Sequence, residues 1–140
     1  MSVGPTFYTR LTTDSTVSGI IGNRVYPEYA RESDKTYPLA VYKIEKVTTL
    51  TASDGPTGFA TCTYTIAAID QTYKGSSQLA DKLQANLDGA TWTDSDNNIN
   101  IQGVFLEPDG RTDEVITQQD SESILYFICQ LEFQVAFNPL

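Results

Sequence analysis

An α+β fold follows from three observations on this chain. The segment Leu125, Phe127, Cys129, Leu131, Phe133, Val135, Phe137 alternates with Gln130, Glu132 and Gln134, as one face of a long strand must. Leu79, Leu83 and Leu87 recur every fourth residue with Ala80 beside them, and Gln78, Asp81, Lys82 and Gln84 fall off that stripe, as on an amphipathic helix. Helical and strand patterns come in blocks rather than in strict alternation, which is the α+β order. The expected architecture is a single domain over 1–140, an antiparallel sheet with helices packed on one face.

The elements follow in order. Phe7, Tyr8 and Leu11 share one helical face, with Pro5 in the first turn. Asp14 caps a second short helix holding Val17, Ile20 and Ile21, which Gly22 ends. Arg24 to Pro27 reads as a short extended segment. Glu28 to Tyr37 is polar, mixed in charge and read as a loop. In Leu39–Leu50, Ala40, Tyr42 and Ile44 point one way and Val41, Lys43 and Glu45 the other. In Phe59–Ile69, Cys62, Tyr64, Ile66 and Ala68 share a face, and Thr61, Thr63 and Thr65 take the other. These two strands are predicted to form an antiparallel hairpin around Asp54-Gly55-Pro56. The helix spans Tyr73–Asp88, with Gly89 as its capping glycine. A strand is expected over Asn98–Leu106, a turn at Pro108-Asp109-Gly110, and a further strand over Arg111–Gln118. The last strand runs Ile124–Phe137. Tyr126 and Ile128 on its second face suggest that its first half is covered on both sides.

Composition narrows function. The chain has 140 residues, 40% hydrophobic and 19% charged, as in ordinary globular proteins. Its net charge is −9 and its nine basic residues form no cluster, so a duplex would be repelled rather than gripped. No apolar run reaches the length of a membrane span, and no signal-peptide core opens the chain, so synthesis in the cytoplasm and no membrane partner are expected. The two cysteines, Cys62 and Cys129, sit in phase with apolar strand neighbours and read as buried free thiols.

Catalytic signals are nearly empty. With no histidine, every Ser–His or Cys–His nucleophile is excluded, and neither GxxxxGK[ST] nor GxGxxG occurs. Asp94-Ser95-Asp96-Asn97-Asn98 resembles part of a calcium loop, but Ile99 stands where glycine is needed and Phe105 where glutamate is needed. A solvated polar turn is the reading there. Trp92 reads as a packing residue. No cofactor, metal or catalytic residue is expected.

The order of short motifs resembles one family. Leu11-Thr12-Thr13-Asp14 closes the first helix. Gly22-Asn23-Arg24-Val25-Tyr26-Pro27 follows, then Pro38-Leu39-Ala40-Val41-Tyr42, the Asp54-Gly55 turn, the helix ending Leu87-Asp88-Gly89, and the aromatic strand Tyr126–Phe137. This succession resembles the tail-completion (tail-terminator, or tail-to-head joining) proteins of long-tailed bacteriophages. The resemblance implies a structural virion protein at the head–tail interface, not an enzyme. It implies a six-fold homo-oligomeric ring that caps the major tail tube protein, docks on the head connector (stopper) protein and leaves a channel through which DNA passes without specific binding. Two other readings stand beside it: another small phage head-completion or minor tail assembly protein, and a small carboxylate-based hydrolase or ligand-binding domain. The candidate contact loop between the first two long strands comprises Thr51, Ala52, Ser53, Asp54, Gly55, Pro56 and Thr57.

Overall fold

The computed structural model describes residues 3–28, 36–52, 55–117 and 124–140, without the side chains of 50–52, 55–57, 117, 124 and 125. Tyr29 to Lys35 of the expected loop, and Gln118 at the end of an expected strand, lie outside the described residues. The elements are α1 (Val3–Thr13), α2 (Ser15–Ile21), β1 (Val25–Pro27), β2 (Leu39–Ala52), β3 (Gly55–Asp70), α3 (Tyr73–Leu87), β4 (Trp92–Asp94), β5 (Ile99–Thr117) and β6 (Ile124–Pro139). The strands form one sheet in the order β1-β2-β3-β6-β5-β4.

The α+β class holds, and the sheet corrects one expectation. It is mixed, because β1 runs parallel to β2 with Val25 opposite Ala40 and Pro27 opposite Tyr42. All other pairs are antiparallel, including the expected hairpin of β2 and β3. A second correction concerns Pro108-Asp109-Gly110. It does not reverse the chain. β5 passes through it and stays paired with β6 on both sides, Leu106 opposite Phe133 and Arg111 opposite Leu131. The four intervening residues form a bulge, where a proline without an N–H is tolerated. Gly110 fits there because an added Cβ would stand 2.7 Å from the Glu132 carbonyl oxygen.

Each helix is built by local chemistry. The Asp14 carboxylate accepts from the Thr16 N–H at 2.8 Å and starts α2, and Gly22 at φ 59 stops it while its N–H donates to the Ser18 carbonyl. That backbone bond, with help from the Asn86 amide, holds the Asp14 carboxyl below its ordinary value. The stabilisation is therefore complete above the unfolded-state carboxylate range and fades as pH falls through the lower folded value. Thr72 caps α3 by accepting from the Gly75 N–H at 3.1 Å. α3 ends at Leu87, and Gly89 two residues on takes φ 79.

One buried cluster joins these parts. It includes Phe7 and Leu11 of α1, Val17 and Ile21 of α2, Leu79, Leu83 and Leu87 of α3, the expected Cys62, Tyr64, Ile66 and Ala68 of β3, and Cys129 to Phe137 of the expected β6 face, whereas Phe127 is half-buried outside it against Tyr73. Tyr64 lies at its centre, fully buried, with its ring stacked on Phe7 at 4.0 Å and near Tyr42 at 5.6 Å. Phe7 also meets the edge of Trp92 at 5.1 Å. Trp92 is thus a packing residue, and its indole N–H donates to the Thr6 hydroxyl at 2.9 Å.

The Tyr64 hydroxyl has no hydrogen-bond partner among the described residues. An unsatisfied buried hydroxyl costs about 1–3 kcal/mol. Tyr64→Phe is therefore expected to keep the ring stack and to raise stability by about 1 kcal/mol, a shift of a few degrees in Tm. Denaturant unfolding of the two proteins checks this, and a loss of stability would mean that the hydroxyl is bonded.

Candidate functional site

The residues that carry chemistry are spoken for by structure. Cys62 and Cys129 are buried free thiols, and burial pushes each up to about 11, so neither is a thiolate nucleophile near neutrality. They stand on different rungs of the β3–β6 ladder, Cys62 opposite Val135 and Cys129 opposite Ala68. The Asp94 carboxylate accepts from the Asn97 side-chain amide at 2.7 Å and from its backbone N–H at 3.2 Å. Those bonds, the side-chain one foremost, hold its carboxyl below the ordinary value and close a tight turn. Among the described residues no group of three or more acids or cysteines could hold a metal ion, and no helix is long and apolar enough to cross a membrane.

What remains is surface shape. The hairpin of β2 and β3 continues past the rest of the sheet. β3 pairs with β6 only from Ala60 onward, whereas its pairing with β2 extends to Thr51 opposite Pro56 and Ala52 opposite Gly55. Five of the seven expected contact-loop residues, Thr51, Ala52, Gly55, Pro56 and Thr57, are thus strand backbone rather than loop, while Ser53 and Asp54 lie outside the described residues. Register shifts between Glu45 and Thr48 and between Thr49 and Thr51 add twist to this arm. Lys46 takes φ 53 at the first of them.

A second feature escaped sequence reasoning. The sheet face opposite the buried cluster holds a hollow of about 570 Å³, lined by Leu39, Val41, Ile69, Tyr126 and Ile128 among others. Leu39 on its floor is 1% exposed. Tyr126 stacks with Tyr37 at 6.1 Å. So the second face of β6 is half-buried at its start, against a hollow. Toward the middle of the sheet the same face turns polar, with Thr65, Gln130 and Glu132 beside the Lys43–Glu45 ion pair at 2.9 Å. Both partners of that pair are well exposed, so it adds little to stability. The alternation of each strand carried the signal for this face, but nothing in it told where the apolar half ends.

The glycine–x–arginine motif has a structural account. Gly22 turns the chain out of α2. Arg24 then donates from its guanidinium to the Ile20 carbonyl at 3.2 Å and to the Pro38 carbonyl at 3.0 Å. The end of α2 and the start of β2 are thereby held together, and Val25, 3% exposed, enters the core. Ala40 N–H donates to the Arg24 carbonyl at 3.0 Å, which begins the parallel pairing of β1. A second arginine, Arg10, bonds the Asn86 side chain and carbonyl at 2.9 and 3.0 Å and lies 4.5 Å from the centre of the Trp92 ring.

Comparison with known proteins places this framework. No curated protein matches the chain. Among solved structures it is similar to a chain of the virion of a native gene transfer agent particle, at 15% identity, over 94% of this chain and 90% of that one, with a TM-score of 0.67. At that identity the likeness is one of fold. The family model described as tail completion protein gp17 matches residues 6–119, which include the glycine–x–arginine motif, the hairpin and α3. The chain belongs to the tail completion protein gp17 family and is a structural protein of the virion tail.

Proposed function

We propose that this protein caps the phage tail tube as a closed ring, docks on the head connector and leaves a channel for DNA. The observation that carries the reading is the family match over residues 6–119. The geometry agrees with it. The helices, whose apolar residues share the buried cluster with the sheet, would lie outward, where a ring has more circumference to fill. The opposite face, polar in its middle, would turn toward the channel. A net charge of −9 per copy favours passage of a duplex without sticking, since few phosphate contacts can form. The segment Thr51–Thr57 is the contact with a partner across the joint. The partners are the major tail tube protein on one side and the connector on the other.

Charge also sets when the ring forms. Copies at −9 each repel at low salt, so the free protein stays monomeric or weakly associated until a tail fixes its orientation. Screening shortens that repulsion to about 8 Å near physiological ionic strength. Sedimentation velocity over a salt series is expected to show self-association rising with salt, and a ring on added tail tubes at any salt. A compact dimer at every salt and concentration, with no ring on tubes, would overturn the reading.

A further inference from the structure

The sheet leaves two strand edges incompletely covered. β1 lies along β2 only at Ala40–Tyr42, and the Glu28 N–H adds one bond to the Tyr42 carbonyl. From Lys43 onward no strand among the described residues runs along that side of β2. At the other end β4 lies along β5 at Ile99–Ile101, the Gly89 N–H and the Asp88 carboxylate take up the Val104 carbonyl and the Leu106 N–H, and from Arg111 onward no strand among the described residues lies outside β5. Such rows of backbone N–H and C=O groups are templates for another strand.

The two edges are unlike. Lys43–Thr49 carries two lysines and one glutamate in a chain of net −9, and with Lys43 paired to Glu45 at 2.9 Å it keeps one excess positive charge. The open part of β5 carries Glu107, Asp109, Asp113 and Glu114 against Arg111, which is itself paired with Asp81 at 2.8 Å. Pairing either edge with its own copy sets like charges side by side, and pairing one with the other sets lysine against carboxylate. Each edge also exposes a valine, Val47 at 59% and Val115 at 47%. Direction agrees as well. β2, β3, β6 and β5 alternate, so β5 runs opposite to β2. A second copy placed beside the first in the same sense brings its β2 antiparallel to the first copy's β5, the geometry of every long pair within the chain.

We infer that copies of this chain join head to tail through a β-ladder between Lys43–Thr49 of one copy and Arg111–Thr117 of the next. The inference rests on the ring reading above and names the surfaces that close it. Because the contact uses two different patches, each added copy presents a fresh edge, and growth ends only when the rotation per copy completes a turn. The bulges on both edges, at Lys46-Val47 and at Glu107–Gly110, shorten the run that a stray strand would find. They keep the ladder weak until a template aligns the copies.

Cross-linking tests this. Glu45 and Glu114 both lie on the sheet face opposite the core and are replaced together by cysteine (Glu45→Cys, Glu114→Cys). Protein assembled on tail tubes is treated with a short bis-maleimide, and wild type, with both thiols buried, is the control. The double variant is expected to give a series of covalent multimers, and each single variant only monomer. Covalent dimers from either single variant would mean a two-fold contact and overturn the inference. Rings that form without cross-linking overturn it too, while leaving the ring reading intact. If wild type forms no oligomer on tubes, the ring reading itself fails. Charge exchange is the second arm. Lys43→Glu with Lys46→Glu, or Asp113→Lys with Glu114→Lys, is expected to weaken assembly about tenfold or more, and all four changes together to restore it. Failure of the fourfold variant to recover, with folding intact, would sink the edge pairing.

Discussion

Leu83→Asp is expected to abolish soluble folded protein. Leu83 is fully buried on the face of α3 that enters the core, one turn from Leu79 and one from Leu87, and the cluster around it is apolar. A carboxylate placed there has no cationic partner, and an uncompensated buried charge costs about 3–5 kcal/mol beyond the packing it removes. That approaches the whole margin of about 5–15 kcal/mol on which domains live. Leu83→Ala separates charge from volume. It should lose about 2–5 kcal/mol and still fold in part. Circular dichroism melts and soluble yield read both. A near-wild-type melt for Leu83→Asp would show that α3 does not bury this edge.

Removal of Ala52 to Pro56 is expected to leave folding intact and to abolish joining of heads to tails. The deleted segment is the far end of the β2–β3 arm, beyond the last rung that β3 shares with β6 at Ala60 and Phe137. The remaining ladder keeps every described side chain of the buried cluster. The stability cost should be small, since shortening a hairpin end touches no core contact and loop closure varies slowly with length. In vitro joining of purified heads and tails measures the effect, with the melt as the folding control. Joining at the wild-type level would remove the arm from the interface.

How much of this was legible in the sequence depended on the length of each pattern. β6 and α3 repeat their periods over many residues, so their faces could be assigned side chain by side chain, from Cys129 to Phe137 and from Leu79 to Leu87. β1 was legible as an extended segment at Arg24–Pro27, but its place in the sheet was not, because three residues carry no period and a parallel partner leaves no local trace. Pro108-Asp109-Gly110 has the composition of a reversal, yet pairing with β6 on both sides carries the strand through it as a bulge. The candidate site was legible only in outline. Its turn residues were visible, but strand pairing extends to Ala52 and Gly55 because backbone ladders accept glycine and proline at an edge. The hollow around Leu39 was not visible, because it is made where three strands meet.

The position of the first helix has a consequence for the order of events during synthesis. Phe7 emerges among the first residues, but it packs on Tyr64 and against Trp92, and Thr6 bonds an indole that lies 86 positions later. α1 alone is eleven residues long, below the length at which isolated helices persist in water. Until β3 has left the ribosome Phe7 lacks the Tyr64 ring it stacks on, and until β4 follows it lacks Trp92. The central strand β3 must likewise wait for β6, the last element made. Folding is thus dominated by distant pairings, which are slow to form, and the nascent chain must carry an uncovered hairpin through the second half of translation.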